Sequence, residues 1–268
     1  MTIDPSHRLA VARAAADAGG ERALQDFRRE IDVETKDDPT DFVTEADRAA
    51  QRTVVTAIRE EFPDDPIVGE EDESPSEIPE TGPAWVVDPI DGTTNYVRGM
   101  PTWTTVVAAL EDGEPIAAVI TAPALGDVYA AAQDGATKNG EPISVSETSV
   151  PDEAMVCPTL WWSRDRRDEF AAVADAVLHN FADVRRFGSA QLELALVADG
   201  GLDATIANVR ASPWDTVAGA HIVRQAGGRV TNLEDEHWRH DARGIVASNG
   251  EVHEAARDAA LAGDRAQE

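Results

Sequence analysis

Residues 85–95 read Trp85-Val86-Val87-Asp88-Pro89-Ile90-Asp91-Gly92-Thr93-Thr94-Asn95. The apolar run Trp85-Val86-Val87 has the character of a short buried strand and leads straight into Asp88. Asp88 and Asp91 stand three residues apart with Pro89 stiffening the turn between them, so both carboxylates can point at one small volume. Oxygen donors of this kind suit Mg²⁺ or Mn²⁺ better than zinc. Gly92 permits close backbone approach, and the amides and hydroxyls of Gly92, Thr93 and Thr94 can hold a phosphate if a helix starts there. Taken alone, the segment also fits a polar turn that caps a strand, because Asp, Pro, Gly and Asn favour turns.

Two further acidic positions lie outward from it. Gly69-Glu70-Glu71 follows the apolar pair Ile67-Val68, and Trp214-Asp215 stands at the start of a helical pattern. Carboxylates from these separate elements would complete a nest for several metal ions. Each also has a plain reading: Glu70 and Glu71 as solvated residues of a very acidic chain, Asp215 as the cap of its own helix.

Apolar spacing predicts helices over 5–30, over 40–62 after a polar turn, and over 165–180, 189–199, 214–227 and 251–261. Pro5 sits near the start of the first, and Thr44 with Asp47 three residues on resembles a capping box for the second. Strands are expected at 67–68, 85–87, 104–110, 115–121, 126–133, 202–207, 229–232 and 244–248, with a loop over 72–83 and turns within 137–145. Helices and strands mix without a clean repeat. The expected fold class is therefore α+β, a layered unit spanning 1–268 with approximate halves 1–140 and 141–268.

The charge balance excludes several functions. Asp and Glu number 51 against 23 Lys and Arg, a formal net charge of −28, and Lys36 and Lys138 are the only lysines. Binding nucleic acid through a basic patch is excluded on that balance. Repulsion across such a surface is relieved by salt, and a halophilic source is expected. No apolar run reaches the length of a membrane span, and residues 1–20 lack the apolar block of a signal peptide, so a cytoplasmic location is expected. The single cysteine, Cys157, excludes an internal disulfide.

The 85–95 segment resembles the first signature of the inositol monophosphatase family, and Trp214-Asp215-Thr216-Val217-Ala218-Gly219, continued through Ala226-Gly227-Gly228, resembles its second. Asp41-Phe42-Val43-Thr44-Glu45-Ala46-Asp47 and Gly69-Glu70-Glu71 match the family's two amino-terminal motifs, in order and spacing. Gly188-Ser189-Ala190, followed by 192–201, resembles its substrate-side segment. The resemblance covers about residues 5–250. It implies an αβαβα sandwich of the sugar phosphatase type, often a homodimer. It implies Glu70, Asp88, Asp91, Asp215 and the Ile90 carbonyl as ligands for about two to three Mg²⁺ ions. Asp47 and Thr93 match the pair that polarises a metal-bound water, and Glu70 counts among the catalytic carboxylates as well. Gly92, Thr93 and Thr94 would receive the phosphate; Gly188, Ser189 and Ala190 would line the alcohol side together with Asp215. Lys36 stands where the family often has a basic residue.

The implied activity is hydrolysis of a small sugar or polyol phosphate by metal-activated water. The chemistry agrees, since an ester dianion repels hydroxide unless clustered cations neutralise it. Asn208 stands where inositol-specific members carry a glutamate that binds ring hydroxyls, seven residues before Asp215. Arg185, Arg186 and Arg210 could meet a second phosphate, which keeps fructose-1,6-bisphosphatase activity in play; their plain reading is surface pairing with the many carboxylates. Phosphoadenosine phosphate and histidinol phosphate are other esters cleaved within the family, and a metal-binding protein without catalysis is the alternative of a different class.

Overall fold

The computed structural model describes residues 4–29, 33–35, 42–71, 74–160 and 163–265. Lys36, the polar turn expected at 40–41, the end of the first expected helix at Glu30 and positions 72–73 of the expected loop lie outside them. Helix α1 (Pro5–Asp26) starts at Asp4, whose side chain accepts from Ser6 N at 3.0 Å. It stops short of residue 30 because the chain turns extended at Phe27, which brings that ring within 5.4 Å of Tyr96 and 5.5 Å of Trp103. Two short antiparallel strands, β1 (Val33–Thr35) and β2 (Phe42–Thr44), lead into α2 (Glu45–Glu61). The capping box is present: Thr44 Oγ1 accepts from Ala46 N, and Thr44 N donates to Asp47 Oδ2 at 2.8 Å.

Next come β3 (Ile67–Gly69), β4 (Pro83–Asp91), a single-turn α3 (Thr93–Val97), β5 (Thr104–Glu111), β6 (Glu114–Ala122), β7 (Asp127–Ala132), β8 (Gly135–Lys138) and β9 (Glu141–Pro142). These strands form one seven-stranded sheet in chain order, parallel at β3–β4 and antiparallel beyond. The turns expected within 137–145 are the β8–β9 hairpin. Then follow β10 (Met155–Pro158), α4 (Arg167–Asn180), β11 (Asp183–Val184), α5 (Ala190–Ala198), β12 (Ala204–Arg210), α6 (Val217–Gln225), β13 (Arg229–Thr231), β14 (Arg243–Ser248), α7 (His253–Ala260) and α8 (Ala262–Arg265). Their five strands pair in the order β11-β10-β12-β14-β13.

Alternation along the strands builds the layers. On β4, Trp85 and Val87 pack with Val11, Ala15, Val54 and Ile58 of α1 and α2. Ala84 and Val86 face the other way, into a core shared with Leu194 of α5, Ile222 of α6, and Ala207, Val209 and Ala247 of the second sheet. The far side of that sheet, Val156, Ile206 and Val246, packs on Val173 and Val177 of α4 and Ala256 of α7. The order is helices, sheet, helices, sheet, helices, the αβαβα arrangement expected. Small residues set the spacing: a Cβ on Gly19 of α1 would stand 2.4 Å from Val54 Cγ2 of α2. Among the described residues no helix is long and apolar enough to cross a membrane.

Candidate active site

A defect in pairing brings the two aspartates of β4 together. Residues three apart on a regular strand point to opposite faces. Asp88 pairs with Val106 and Asp91 with Thr104, so β4 carries one residue more than β5 over this step. Pro89 occupies the extra stretch, where it has no N–H to withhold from the ladder, and its carbonyl accepts from Thr105 Oγ1 at 2.7 Å. The strand expected to end at Val87 thus continues to Asp91, and the bulge turns Asp91 to the side of Asp88. Asp215 arrives from a 3-10 turn, Pro213–Asp215, that precedes α6. One carboxylate oxygen from each of Asp88, Asp91 and Asp215 lies within 4.8 Å of the other two.

Donors from the second half of the chain fix Asp91. Ser189 Oγ and Gln191 N donate to its Oδ2 at 2.6 and 2.8 Å, and Ala190 N to its Oδ1 at 3.3 Å, so the first turn of α5 closes on this side chain. Asp88 Oδ1 accepts from Ile90 N at 3.0 Å. Asp215 Oδ2 accepts from Ser212 N at 3.0 Å, so its capping role and its place in the cluster hold together. Asp47 gives one oxygen to Thr44 and the other to Thr93 Oγ1 at 3.2 Å; the Thr93 hydroxyl also lies 3.0 Å from the Ile90 carbonyl, and its single proton goes to one or the other. Gly92 has φ +92, and a Cβ there would stand 3.0 Å from the Gly188 carbonyl. Only glycine suits that combination.

Glu70, Asp88, Ile90, Asp91, Gly92, Thr93, Thr94, Gly188, Ser189, Ala190 and Asp215 all line one cavity of about 730 Å³. Asp47 sits behind Thr93 with no solvent exposure. Glu71 is buried outside the cavity wall, its N–H donating to Gln51 Oε1 at 3.0 Å, and is not the solvated residue that composition alone would allow.

Burial first, and like charge after it, raises the pKa of these carboxylates. Burial pushes Asp88 well above the ordinary carboxylate range, and the charges of Glu70, Asp91 and Asp215 add to the shift. Burial raises Asp91 to about 7, against the Ser189 and Gln191 donors that pull it down. Asp47 rises to about 6, again through burial first, with the Thr44 donors opposing. Cations relieve such crowding. An all-oxygen donor set with buried, mutually repelling carboxylates fits hard divalent ions such as Mg²⁺.

Several groups that shape the cavity were not singled out from the sequence. Asn95 Nδ2 donates to Thr102 O at 2.6 Å and Phe187 O at 2.7 Å, tying the turn after β4 to the loop before α5. Gln191 joins three segments: its N–H is on Asp91, its Nε2 donates to Trp214 O at 2.5 Å, and its Oε1 accepts from Gly219 N at 2.7 Å. Glu193 accepts from Thr159 Oγ1, Phe187 N and Gly188 N. The signal was there: Gln191 and Glu193 are polar residues in an otherwise apolar, buried helix, where they need partners.

One expectation is corrected. Asn208 does not line the cavity; it is fully buried and donates to Glu169 Oε2 at 2.8 Å and Asp264 Oδ1 at 3.0 Å, on the side of α4 and α8. The β12–β14 register shifts between Ala207 and Arg210, which changes the face presented, and Arg210 lies in the wall instead. Arg186 lines it too, whereas Arg185 is outside and pairs with Asp183.

The sequence model of the inositol monophosphatase family matches residues 4–265. The chain belongs to the inositol monophosphatase family. A fructose-1,6-bisphosphatase/inositol-1-monophosphatase of Thermotoga maritima is 37% identical to it over 83% of either chain. A histidinol-phosphatase of Mycobacterium tuberculosis is 36% identical over 92% of this chain and 95% of its own. A solved IMPase of Thermotoga maritima superposes with a TM-score of 0.88 at 32% identity, covering 97% of this chain and 98% of the other. As an inositol monophosphatase family member with this acidic cluster, the protein is a metal-dependent phosphoric monoester hydrolase.

Proposed function

We propose that the cavity hydrolyses small sugar or polyol phosphates of the inositol 1-phosphate type, with Mg²⁺ as the resident metal and Mn²⁺ as a substitute. The observation that carries this is the meeting of the Asp88, Asp91 and Asp215 oxygens within 4.8 Å in the wall of a cavity large enough for a sugar phosphate. Glu70, Asp88, Asp91, Asp215 and the Ile90 carbonyl would hold about two to three ions, which when bound neutralise the ester's charge and acidify a water.

The chain's own groups handle the proton. As the water oxygen bonds to phosphorus and the ester P–O bond breaks, Thr93 Oγ takes the water's proton and passes its own to Asp47 Oδ1, 3.2 Å away. With its pKa raised to about 6, Asp47 is ionised above neutrality and free to receive it. The departing alkoxide takes its proton from solvent. Gly92, Thr93 and Thr94 hold the phosphate, and Gly188, Ser189 and Ala190 face the alcohol. Thr44 keeps the second oxygen of Asp47 occupied, leaving one oxygen directed at Thr93.

The test is phosphate release from inositol 1-phosphate with and without MgCl₂, in wild type and in Asp47→Asn and Thr93→Ala. Both variants are expected to lose about 100-fold or more in kcat while keeping their circular dichroism. Activity that ignores Mg²⁺, or that survives both substitutions, removes the proposal. A homodimer belongs to the same proposal; light scattering should give twice the 28.7 kDa chain mass.

A further inference from the structure

Helix α2 turns two polar side chains inward on an otherwise apolar face. Asp47 and Gln51 stand four residues apart among Ala46, Ala50, Val54 and Ile58, and both are buried. Asp47 meets Thr93, whereas Gln51 meets the segment that carries Glu70. Gln51 Oε1 accepts from Glu71 N at 3.0 Å. Its Nε2 donates to the Glu71 carbonyl and to Ser74 Oγ, the latter at 3.1 Å. Both ends of this buried amide are thus engaged by the chain on one side of Glu70.

That stretch of chain needs an outside partner. Strand β3 runs parallel to β4 and ends at Gly69, which pairs with Val87; one residue further along each chain stand Glu70 and Asp88. Past Gly69 the ladder no longer holds the backbone. The Gln51 side chain takes over, offering Glu71 the donor and the acceptor that a neighbouring strand would offer. A carboxylate in its place has no proton to give, and an aliphatic chain has neither group. Gly69 fits the same arrangement. The three atoms nearest to a Cβ built there all belong to the Gln51 amide, the closest of them 2.9 Å away. Its φ is not positive, so the glycine supplies room for Gln51 rather than an unusual backbone conformation.

Resting on the metal reading above, in which Glu70 is a ligand, we propose that Gln51 is a positioning residue for the metal centre. It fixes the Glu71 peptide, and with it Glu70 beside Asp88, while touching neither ion nor ester. A ligand on unsupported backbone has to be ordered each time an ion arrives, and that ordering is subtracted from affinity. Because Asp47 stands one turn before Gln51, a single helix face keeps the metal side and the proton side of the site in register.

The test measures Mn²⁺ binding without substrate, by electron paramagnetic resonance of the free ion, in wild type, Gln51→Met, Gly69→Ala, the double variant and Glu70→Gln. Gln51→Met keeps the length of the side chain and removes both of its bonding ends. It should weaken binding by about 10- to 100-fold, the loss usual when the support of a metal ligand is removed, and raise the MgCl₂ needed for half-maximal phosphate release in step. Gly69→Ala displaces the amide and should weaken binding too, yet it should add nothing to Gln51→Met, where the bonds it breaks are already gone. Ile58→Ala, about two turns further along the same buried face, is the control for a loosened helix and should bind Mn²⁺ as wild type does. Wild-type affinity in Gln51→Met, additive losses in the double variant, or an equal loss in Ile58→Ala overturns the proposal. Glu70→Gln separates it from the reading beneath it. If Glu70→Gln leaves Mn²⁺ binding unchanged, Glu70 is no ligand and the metal assignment fails at that residue. If it weakens binding while Gln51→Met does not, only the role of Gln51 falls.

Discussion

Asp88 is almost fully buried beside Glu70, Asp91 and Asp215, and its charged form is unfavourable until a cation arrives. Asp88→Asn therefore has opposite effects on two quantities. It should lower Mg²⁺-dependent turnover by more than about 100-fold, because a ligand is gone. It should also raise the melting temperature of the metal-free protein at pH 8, because one of the repelling charges is gone. A variant that is both inactive and less stable without metal would contradict the second half. Burial of the site's carboxylates gives stability a pH dependence with a definite sign. Asp47 and Asp91, raised to about 6 and about 7, hold protons in the folded state that the unfolded chain releases at lower pH. Their contribution is present at low pH and is lost as pH climbs through 6 to 7. Buried His221 and His253, lowered to about 4, act the other way, with stability present above pH 6.5 and lost as pH falls toward 4. Mg²⁺ does not touch the histidines, so the difference between metal-loaded and metal-free melting isolates the carboxylates. That difference should be larger at pH 8 than at pH 5.5, since ligands must be ionised to bind. Equal shifts at the two pH values would separate metal binding from this cluster.

Helices α5 and α6 touch so closely that a side chain at their crossing has no room. A Cβ on Gly219 would stand 2.4 Å from Leu194 Cβ, and the same glycine's N–H holds Gln191 Oε1 at 2.7 Å. Gly219→Ala should cost about 1–3 kcal/mol through overpacking. Because Gln191 joins Asp91 to the Trp214 turn, it should also depress kcat more than a comparably destabilising Val177→Ala on remote α4. Equal kcat in the two variants at matched denaturation midpoints would show that the crossing does not position the site. What could be read from the sequence divides along the same line. Thr44 with Asp47, Gly92 and the acidic motifs were legible because their chemistry is local, a residue type at a fixed spacing. The bulge at Pro89 was not, because it depends on how β4 registers against β5. Strand β10, Met155–Pro158, went unseen for a related reason: four residues ending in proline carry no alternation, and it becomes a strand through parallel pairing with β11 and β12. Asn208 is placed at the site by its distance from Asp215 alone, and the packing of β12, whose register shifts between Ala207 and Arg210, turns it away, whereas Arg210, singled out for its charge, does line the cavity.

Over the whole molecule, charge is the property that sets this protein apart. Carboxylates outnumber lysines and arginines 51 to 23, and several arginines are already engaged, as in Arg8 with Asp65, Arg166 with Glu169 and Arg243 with Asp264. The remaining acids have one another for company, and the compact state holds them closer together than the unfolded chain does. Screening shortens the reach of that repulsion from about 10 Å at 0.1 M salt to about 3 Å at 1 M, so the melting temperature should climb with KCl and flatten near molar concentration. Relief by screening can be told from a general salting effect at one place. Glu60 and Asp64 are exposed at the carboxyl end of α2, where the helix dipole adds to the repulsion. The double variant Glu60→Gln/Asp64→Asn should be more stable than wild type by roughly 0.5–1 kcal/mol at 0.1 M KCl, and that gain should disappear by 2 M. If the variant gains nothing in dilute salt, or keeps its gain in concentrated salt, then repulsion among surface carboxylates is not what the salt relieves, and the acidity of this chain needs another cause.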